Sequence, residues 1–496
     1  MDFDVVVVGG GIGGLTAAAL LAQRGLAVCL LERESSVGGC AASFDKFGYS
    51  FEQGYGLYPM WRPGEIHDRI FSELRVDPPE VRLLEPGYVV RLPDESDVVM
   101  TANRSEFEQN LRKSFPECAD KAIDFYRASH RISKQLLHAL RRVPDLSTAG
   151  TLKKIYSLMP NALEATHVIK SRRDTALQHL AGTSLRFRRF IDVQLQTLAG
   201  SSAEDCAYLF SCLALNVPLE GSFSIQGGSA ALADALSKST IKSGGTIRLN
   251  APVLRLTADA GGAAVGVDLL SGETIRASRA VISNMTVWDT YGKLVGLTRT
   301  ATDIRKRLAG LQGWGAYLLY LGMDEAVAER LPAEHILALT DWREGQPYDP
   351  EHSQFTFAAA PKWDSRAPAG KRAVTVHAFT NVDDWFAFHE DESDLELKDQ
   401  AMLELFWQRL HKALPELGAG IEVIETATPL TFYDVTRRKL GMVGGLGQAL
   451  PVFGPNAVSH RTPIPNLFLV GDTVFPGAGL AAVSHSALVL ANKITS

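Results

Sequence analysis

Residues 5–32 read VVVVGGGIGGLTAAALLAQRGLAVCLLE, and this stretch decides the fold prediction. The β-branched run at 5–8 is short and apolar on both faces, which is typical of a buried parallel strand. Glycines follow, and residues 15–23 are rich in Ala and Leu, which favour helix. Gly25 ends the helix, and residues 27–31 form a second apolar run. The order strand, helix, strand predicts a βαβ unit.

The glycines that follow the first strand have the spacing Gly9-x-Gly11-x-x-Gly14. The first permits a tight turn, the second lets a pyrophosphate approach the backbone, and the third allows the helix to pack closely on the strand. Glu32 ends the second strand, where its carboxylate can accept hydrogen bonds from both ribose hydroxyls and would repel a 2′-phosphate. The pattern predicts a dinucleotide other than NADP, with its phosphates at the helix N-terminus.

Two further features favour FAD over NAD. A second flexible turn, Gly38-Gly39, follows the acidic residue closely. It suits a longer cofactor that the chain binds at two turns. Near the other end of the chain, an apolar strand at 467–470 ends in Gly471-Asp472, and a helix is predicted from Gly479. A helix N-terminus directed at a flavin would stabilise negative charge on the reduced ring. The sequence has one complete glycine-plus-acid unit, so a separate nicotinamide domain is not predicted.

The rest of the chain mixes helix and strand. Residues 105–216 look mainly helical, with breaks near Pro144 and Pro160, and another helix is predicted at 227–242. A β-meander follows, because short strand-like runs are joined by hairpin-type turns. Further strands are predicted near 315–321, 353–358 and 373–380, and a long amphipathic helix near 395–414. The meander runs are at 245–249, 253–258, 264–270 and 274–278.

Composition excludes several classes of protein. The net charge is −6, from 50 basic and 56 acidic residues, which argues against nucleic acid as a bulk partner. The five cysteines contain no CxxC pair, and the histidines show no metal-ligand spacing, so the prediction is a reduced chain without a metal site. Glycines interrupt the apolar stretches before they reach about 20 residues, so no membrane span or export signal is predicted. A cytoplasmic location follows as an expectation.

One stretch is strongly basic. Between His130 and Arg189 there are 12 Lys or Arg and three Asp or Glu, a local balance of +9. A solvated helical face is one interpretation. The other is a surface that docks on the cytoplasmic face of an anionic membrane, because apolar residues alternate with Arg186, Arg188 and Arg189 in LRFRRF at 185–190.

Several motifs together resemble the phytoene desaturase and carotenoid isomerase branch of the flavin amine oxidase superfamily. Beyond residues 5–39, they are GGSAALADAL at 227–236, RAVISN at 279–284 and LFLVGDTVFPGAGL at 467–480. The last contains G-D-x-x-x-P-G-A-G, a hallmark of that branch. The motifs occur at both ends and in the middle, so the resemblance covers the whole chain.

The resemblance implies an α/β fold: a discontinuous Rossmann-type FAD-binding domain with an inserted, mixed α+β substrate domain. The FAD-binding domain would comprise 1–75, 220–290 and 431–496, and the substrate domain, with the helical and membrane-docking part, 76–219 and 291–430. The residues that would contact FAD are Gly9, Gly11, Gly13, Gly14, Glu32, Arg33, Gly38, Gly39, Val253, Gly471, Asp472, Gly479 and Leu480.

The implied activity is that of an FAD-dependent oxidoreductase, a desaturase or isomerase, acting on a long apolar polyene or isoprenoid such as a carotenoid precursor. Quinone or oxygen would be the electron acceptor in a desaturation. Two alternatives stay open: an FAD-dependent amine or small-molecule oxidase, and a non-catalytic flavin- or lipid-binding protein. The sequence contains no recognisable catalytic motif, which is compatible with a flavin that carries the chemistry.

Some residues near the motifs have two interpretations. Cys40 is either a small packed thiol or a covalent flavin attachment point, and His485 either packs in the last helix or tunes the flavin ring. The aromatic residues Tyr55, Tyr58 and Trp61 form either a substrate wall or part of a core.

Overall fold

The computed structural model describes residues 2–142, 162–342, 344–387, 392–452 and 457–496. Its strands are β1 Asp2–Val8, β2 Val28–Leu31, β3 Ser43–Lys46, β4 Tyr49–Glu52, β5 Tyr58–Pro59, β6 Val81–Leu83, β7 Tyr88–Arg91, β8 Asp97–Met100, β9 Ser222–Ile225, β10 Thr246–Arg248, β11 Val253–Ala258, β12 Ala264–Leu269, β13 Thr274–Ser283, β14 Gly315–Asp324, β15 His335–Leu339, β16 Gln354–Ala359, β17 Lys371–Thr380, β18 Ile421–Ala427 and β19 Leu467–Leu469. The helices of eight residues or more are α1 Ile12–Gln23, α2 Ile66–Glu73, α3 Arg104–Ser114, α4 Ala119–Arg142, α5 Ala162–Lys170, α6 Leu185–Ala199, α7 Tyr208–Glu220, α8 Ser229–Lys242, α9 Thr302–Ala309, α10 Glu392–Ala413, α11 Pro429–Thr436 and α12 Leu480–Thr495.

The first sheet has the order β10-β2-β1-β13-β12-β11, with β19 paired to the far end of β13. Strands β10, β2, β1, β13 and β19 run parallel, and β11, β12 and the start of β13 form the antiparallel meander. This sheet draws strands from the start, the middle and the end of the chain. The predicted fold class, a discontinuous Rossmann-type domain with an inserted mixed domain, is confirmed.

Both faces of the first sheet are covered at residues 5–8 of β1 and at β2, which is why these residues are apolar throughout. Val5 and Val7 face a core that includes α1, α8 and α12, whereas Val6 and Val8 face a core built from the meander and residues 287–311. All four valines are at most 5% exposed. Alternating side chains that are buried on both sides require the continuous apolar run that the sequence shows.

The second sheet has the order β18-β14-β17-β16-β15-β7-β8, and all its neighbours are antiparallel except β15 and β7. Helix α10 packs on one face through Phe406 and Leu410. The other face packs against β4 and α11 through residues such as Phe51 and Phe432. This arrangement places one face of the second sheet toward the glycine turns of the first.

Helices α3, α4, α6 and α7 form a helical lobe with its own aromatic core. The breaks predicted near Pro144 and Pro160 lie outside the described residues. Within the described ranges, no helix combines the length and the apolar character that a bilayer span requires.

The structure contradicts the docking role predicted for residues 185–190. Phe187 and Phe190 are 0% exposed and belong to the core of the helical lobe. Arg186 donates to Asp94 at 2.7 Å, and Arg189 pairs with Asp192 at 2.9 Å. The aromatic residues are therefore core residues and not lipid contacts, and both arginines are already paired, one with the exposed Asp94 and the other with the buried Asp192. The part of the predicted basic face at 143–161 lies outside the described residues.

Candidate functional site

Two adjoining cavities lie along the carboxyl edge of the first sheet. The glutamate cavity contains Glu32, and the helix cavity ends at the first turn of α12. Their walls share Gly11, Cys40, Asn284 and Arg438, so together they form one cleft. Such a position, beyond the carboxyl ends of parallel strands, is where open α/β sheets bind ligands.

The predicted cofactor residues converge on this cleft. The glutamate cavity contains Gly9, Gly11, Glu32, Arg33, Gly39 and Val253, and the helix cavity contains Gly13, Gly38, Gly471, Asp472, Gly479 and Leu480. Gly14 lies behind the turn instead, where an added Cβ would overlap the carbonyl oxygen of Gly9. It fills the packing role that the spacing predicts for the third glycine.

Asn284, at the end of β13, is a cleft residue that the sequence analysis did not single out. An added Cβ at Gly11 would lie 2.8 Å from its Nδ2 atom, and one at Gly13 would lie 2.7 Å from its Oδ1 atom. The amide also donates to the carbonyl oxygen of Gly9 at 3.4 Å. The turn needs glycine here because a polar side chain from the neighbouring strand covers it. The sequence signal that could have identified Asn284 is its place as a polar residue directly after an apolar parallel strand.

Glu32 lies at the far end of the glutamate cavity, where the sequence places a ribose ligand. Its carboxylate accepts from the backbone N–H of Gly10 at 2.7 Å and from that of Glu34 at 2.9 Å. These two bonds hold the carboxylate against the glycine turn. Val253 lies in the wall of the same cavity, beside Ala251 and Pro252.

A buried ion pair separates the two halves of the cleft. Arg438 donates to Asp472 at 2.8 Å and to the carbonyl oxygen of Met442 at 2.7 Å. Burial opposes the charge, but Asp472 and other nearby groups outweigh it and raise the pKa of Arg438 above its usual value. The guanidinium lines both cavities and stays positively charged, which suits an anionic phosphate chain.

The first turn of α12 closes the helix cavity. Its N-cap residue is Gly479, with φ +91° and no side-chain cap, so the backbone N–H groups of the first turn have no capping side chain. Gly471 and Asp472 line the cavity beside it. A 16-residue helix with an uncapped N-terminus stabilises negative charge at that end.

The opposite wall of the helix cavity is neutral. It includes Tyr55, His377, Phe432 and Val443. Burial raises the pKa of the Tyr55 phenol and lowers the pKa of His377 to about 4, so both side chains are uncharged at pH 7. The Tyr55 and His377 rings meet edge to face, 4.7 Å between centroids.

Comparison with known proteins places the chain in a family. The family model described as "Flavin containing amine oxidoreductase" matches residues 12–491. The chain belongs to that family. An all-trans-retinol 13,14-reductase from Danio rerio is 26% identical over 539 residues, covering 99% of this chain and 86% of the relative. A chloroplastic prolycopene isomerase from Daucus carota is 25% identical over 508 residues, covering 100% and 80%.

Solved structures share the fold of this flavin-containing amine oxidoreductase. An oxidoreductase from Methanosarcina mazei aligns with a TM-score of 0.64 at 16% identity, covering 99% of this chain and 100% of the other. A putrescine oxidase structure aligns with a TM-score of 0.67 at 14% identity, covering 100% and 99%. The protein is an FAD-dependent oxidoreductase, and FAD is its cofactor.

The residues of the cleft fit FAD. Gly11 lines both cavities, so a pyrophosphate could approach its backbone, Glu32 supplies a ribose acceptor, and the uncapped end of α12 suits the electron-rich edge of a reduced ring. When bound, FAD supplies the hydride-accepting and hydride-donating chemistry. The chain's own residues would bind the cofactor and stabilise its negative charge.

A buried network anchors the segment that carries Tyr55. Glu52, at the end of β4, accepts from the Tyr58 hydroxyl and from the backbone N–H of Ser229 at 3.1 Å, and it pairs with Arg366 at 3.1 Å. Burial opposes ionisation of Glu52, but the Arg366 charge and these donors outweigh it and lower its pKa. The network ties the cavity wall to both α8 and the second sheet.

The structure assigns all but one of the ambiguous residues. Of the three aromatic residues, Tyr55 lines the helix cavity, Tyr58 belongs to the Glu52 network, and Trp61 stacks on His67 with 4.1 Å between ring centroids. Cys40 lines both cavities of the cleft, and burial raises the pKa of its thiol, so both interpretations of this residue stay open. His485 faces a separate groove between α2, α4, α7 and α12 rather than the cleft. The proposed tuning of the flavin by His485 is therefore wrong.

Proposed function

We propose that this protein is an FAD-dependent desaturase or isomerase that acts on a long apolar polyene or isoprenoid, such as a carotenoid precursor. The observation that carries the proposal is the neutral wall of the helix cavity, where Tyr55, His377, Phe432 and Val443 offer no charge to a substrate. A neutral substrate loses less hydration energy on entering such a wall than a charged substrate, which would lose its hydration without an oppositely charged partner.

The names of the relatives support an apolar substrate. One is a retinol reductase and the other a prolycopene isomerase, and both align over 99% or more of this chain. Their names differ in reaction type, so our proposal covers both a desaturation with quinone or oxygen as acceptor and an isomerisation without net redox change. A cytoplasmic location, with peripheral contact to a membrane, belongs to the same proposal.

We also propose the assignment of segments and residues. The FAD-binding domain comprises 1–75, 220–290 and 431–496, and the remaining segments form the substrate domain. The thirteen residues named for FAD would bind it, with Gly14 acting through packing. The convergence of the other twelve on one cleft supports this assignment.

The test is an anaerobic incubation of the purified, FAD-loaded protein with a panel of polyenes, monitored by bleaching of the flavin and by mass spectrometry of the products. A loss of two hydrogens identifies desaturation, and an unchanged mass with a new retention time identifies isomerisation. Bleaching by primary amines, with no change in any polyene, would replace the proposal with the amine oxidase alternative.

A further inference from the structure

His377 is a buried polar side chain without a polar neighbour. It lies on β17, lines the helix cavity and is 6% exposed. Its Nδ1 atom is inaccessible to solvent and has no hydrogen-bond partner among the described residues. Most buried polar side-chain atoms in proteins are hydrogen-bonded, so an unpartnered ring nitrogen on a residue that lines a cavity is a candidate contact for a bound molecule.

Two more polar groups lie in the same wall. The Oε1 atom of Gln53 is also buried and unpartnered within the described part of the chain, and Gln53 lines the same cavity. Tyr55 lies two residues further along, with its ring against that of His377. The three side chains, which we call the polar triplet, come from two segments that the Glu52 network holds in place.

The surroundings of the polar triplet are apolar. Phe432 and Val443 line the same cavity, and Phe379 packs against the His377 ring at 5.7 Å. A hydrocarbon that filled this cavity would leave the triplet without a polar partner, and each unpaired buried group opposes binding. A substrate that carries an oxygen atom at this point would satisfy it.

We propose that the polar triplet binds an oxygen atom of the substrate, so that the preferred substrate is a polyene or isoprenoid with a hydroxyl or carbonyl group rather than a pure hydrocarbon. This inference rests on the proposed function and narrows its substrate class.

The chemistry of the triplet suits a neutral oxygen. Burial lowers the pKa of His377 to about 4, so its ring carries one N–H donor and one acceptor at pH 7. Gln53 and the Tyr55 phenol each offer a donor and an acceptor as well. A hydroxyl can both donate and accept here. A carboxylate or an ammonium ion would find no opposite charge in the triplet.

The experiment compares two matched pairs of probes on the FAD-loaded protein in detergent micelles. All-trans-retinol is paired with deoxyretinol, in which hydrogen replaces the hydroxyl, and zeaxanthin is paired with β-carotene, which lacks its two hydroxyls. Dissociation constants are measured by quenching of tryptophan fluorescence. We expect the oxygenated member of at least one pair to bind about tenfold tighter or more, because the hydrocarbon leaves the triplet unpaired.

The variants His377→Phe and Tyr55→Phe keep the rings and remove the polar atoms. Each is expected to bring the ratio of the two dissociation constants toward one, mainly by weakening the oxygenated probe. His67→Phe is the matched control, because His67 is also a buried histidine against an aromatic ring, and it lies outside the cleft. It should leave the ratio unchanged.

Three results would overturn the inference. Equal affinity for both members of each pair in the unmodified protein would refute it while leaving the polyene proposal intact. A shift of the flavin absorbance in ligand-free His377→Phe, with unchanged selectivity, would assign the triplet to the flavin. Failure of all four probes to bind would remove both the inference and the polyene substrate class.

Discussion

At the scale of single residues, two glycines of the turn have different roles: Gly11 matters for cofactor binding and Gly14 for folding. A Cβ at Gly11 meets the tip of a side chain, the Nδ2 atom of Asn284, which can move, whereas a Cβ at Gly14 meets the backbone oxygen of Gly9, which cannot. The two positions lie in one motif, but only Gly11 can accept a larger side chain without a shift of the backbone. This contrast allows the role of the motif to be tested without unfolding the protein.

We expect Gly11→Val to abolish FAD binding and to leave the far-UV circular dichroism spectrum unchanged. The branched side chain would occupy the space of the pyrophosphate while Asn284 rotates away. FAD titration of the apoprotein measures the first effect. Gly14→Val is the comparison, and it should lower the yield of folded protein. If Gly11→Val still binds FAD with normal affinity, the pyrophosphate does not pass this turn.

Glu32→Ala tests the ribose contact. The change should weaken FAD affinity by about 1–3 kcal/mol, because charge-assisted hydrogen bonds to the ribose are lost. Flavin fluorescence quenching measures the dissociation constant. Glu273→Ala, which removes an exposed carboxylate paired with Arg248, is the control and should have no effect. Unchanged affinity in Glu32→Ala would show that Glu32 does not face the ribose.

At the scale of secondary-structure elements, helix α6 shows why a basic segment need not be a docking surface. The side chains of Arg189 and Asp192 are 11% and 5% exposed. Arg189 also donates to the carbonyl oxygen of Gln346 at 2.7 Å, and Asp192 accepts from the backbone N–H of Ala203 at 2.8 Å. The ion pair therefore joins the helix to two other segments of the molecule, through Arg189 at Gln346 and through Asp192 at Ala203.

Arg189→Met should destabilise the protein by about 3–5 kcal/mol, because it leaves the Asp192 carboxylate buried without its charge partner. Urea titration followed by circular dichroism measures the free energy of unfolding. Arg188→Met, one residue earlier, removes only a 3.4 Å bond to Thr183 and should change stability by less than about 0.5 kcal/mol. Equal effects of the two changes would contradict the buried-pair argument.

At the scale of the whole molecule, three buried histidines couple stability to pH. Burial lowers the pKa of His67 to about 3 and the pKa values of His335 and His377 to about 4. In the unfolded chain, an imidazole has its usual pKa of about 6.5. Between about pH 6.5 and pH 4, the unfolded state therefore binds more protons than the folded state. Folding stability must fall as the pH falls through this window.

We expect each histidine to contribute a slope of up to about 1.4 kcal/mol per pH unit. Urea unfolding at pH 7.5, 6.0 and 5.0 measures the total slope. His67→Phe preserves the stacking on Trp61 and removes one of the three titrating histidines. The part of the slope that the histidines contribute should therefore be about a third smaller in this variant than in the unmodified protein. An identical slope in the variant would show that His67 does not titrate on unfolding.

The elements around the glycine motif could be predicted closely, and those of the second sheet only in part. The runs predicted at 5–8, 15–23 and 27–31 correspond to β1, α1 and β2. Strands β7 and β8 were not predicted, because they are short and β7 gains its partner from β15, far along the chain. Such pairing depends on distant residues that local periodicity does not reveal.

What the sequence alone determined is the chemistry of contiguous residues: the glycine turn, the acid after the second strand and the Gly471-Asp472 strand end. Each lies at a fixed distance along the chain from a strand end, so spacing is enough to identify it. Only the tertiary structure decided that Asn284 covers the turn, that His377 faces the cleft and that Arg189 is buried. The reason is physical. A side chain's partners in a folded core are set by strand pairing and helix packing, which bring together residues hundreds of positions apart.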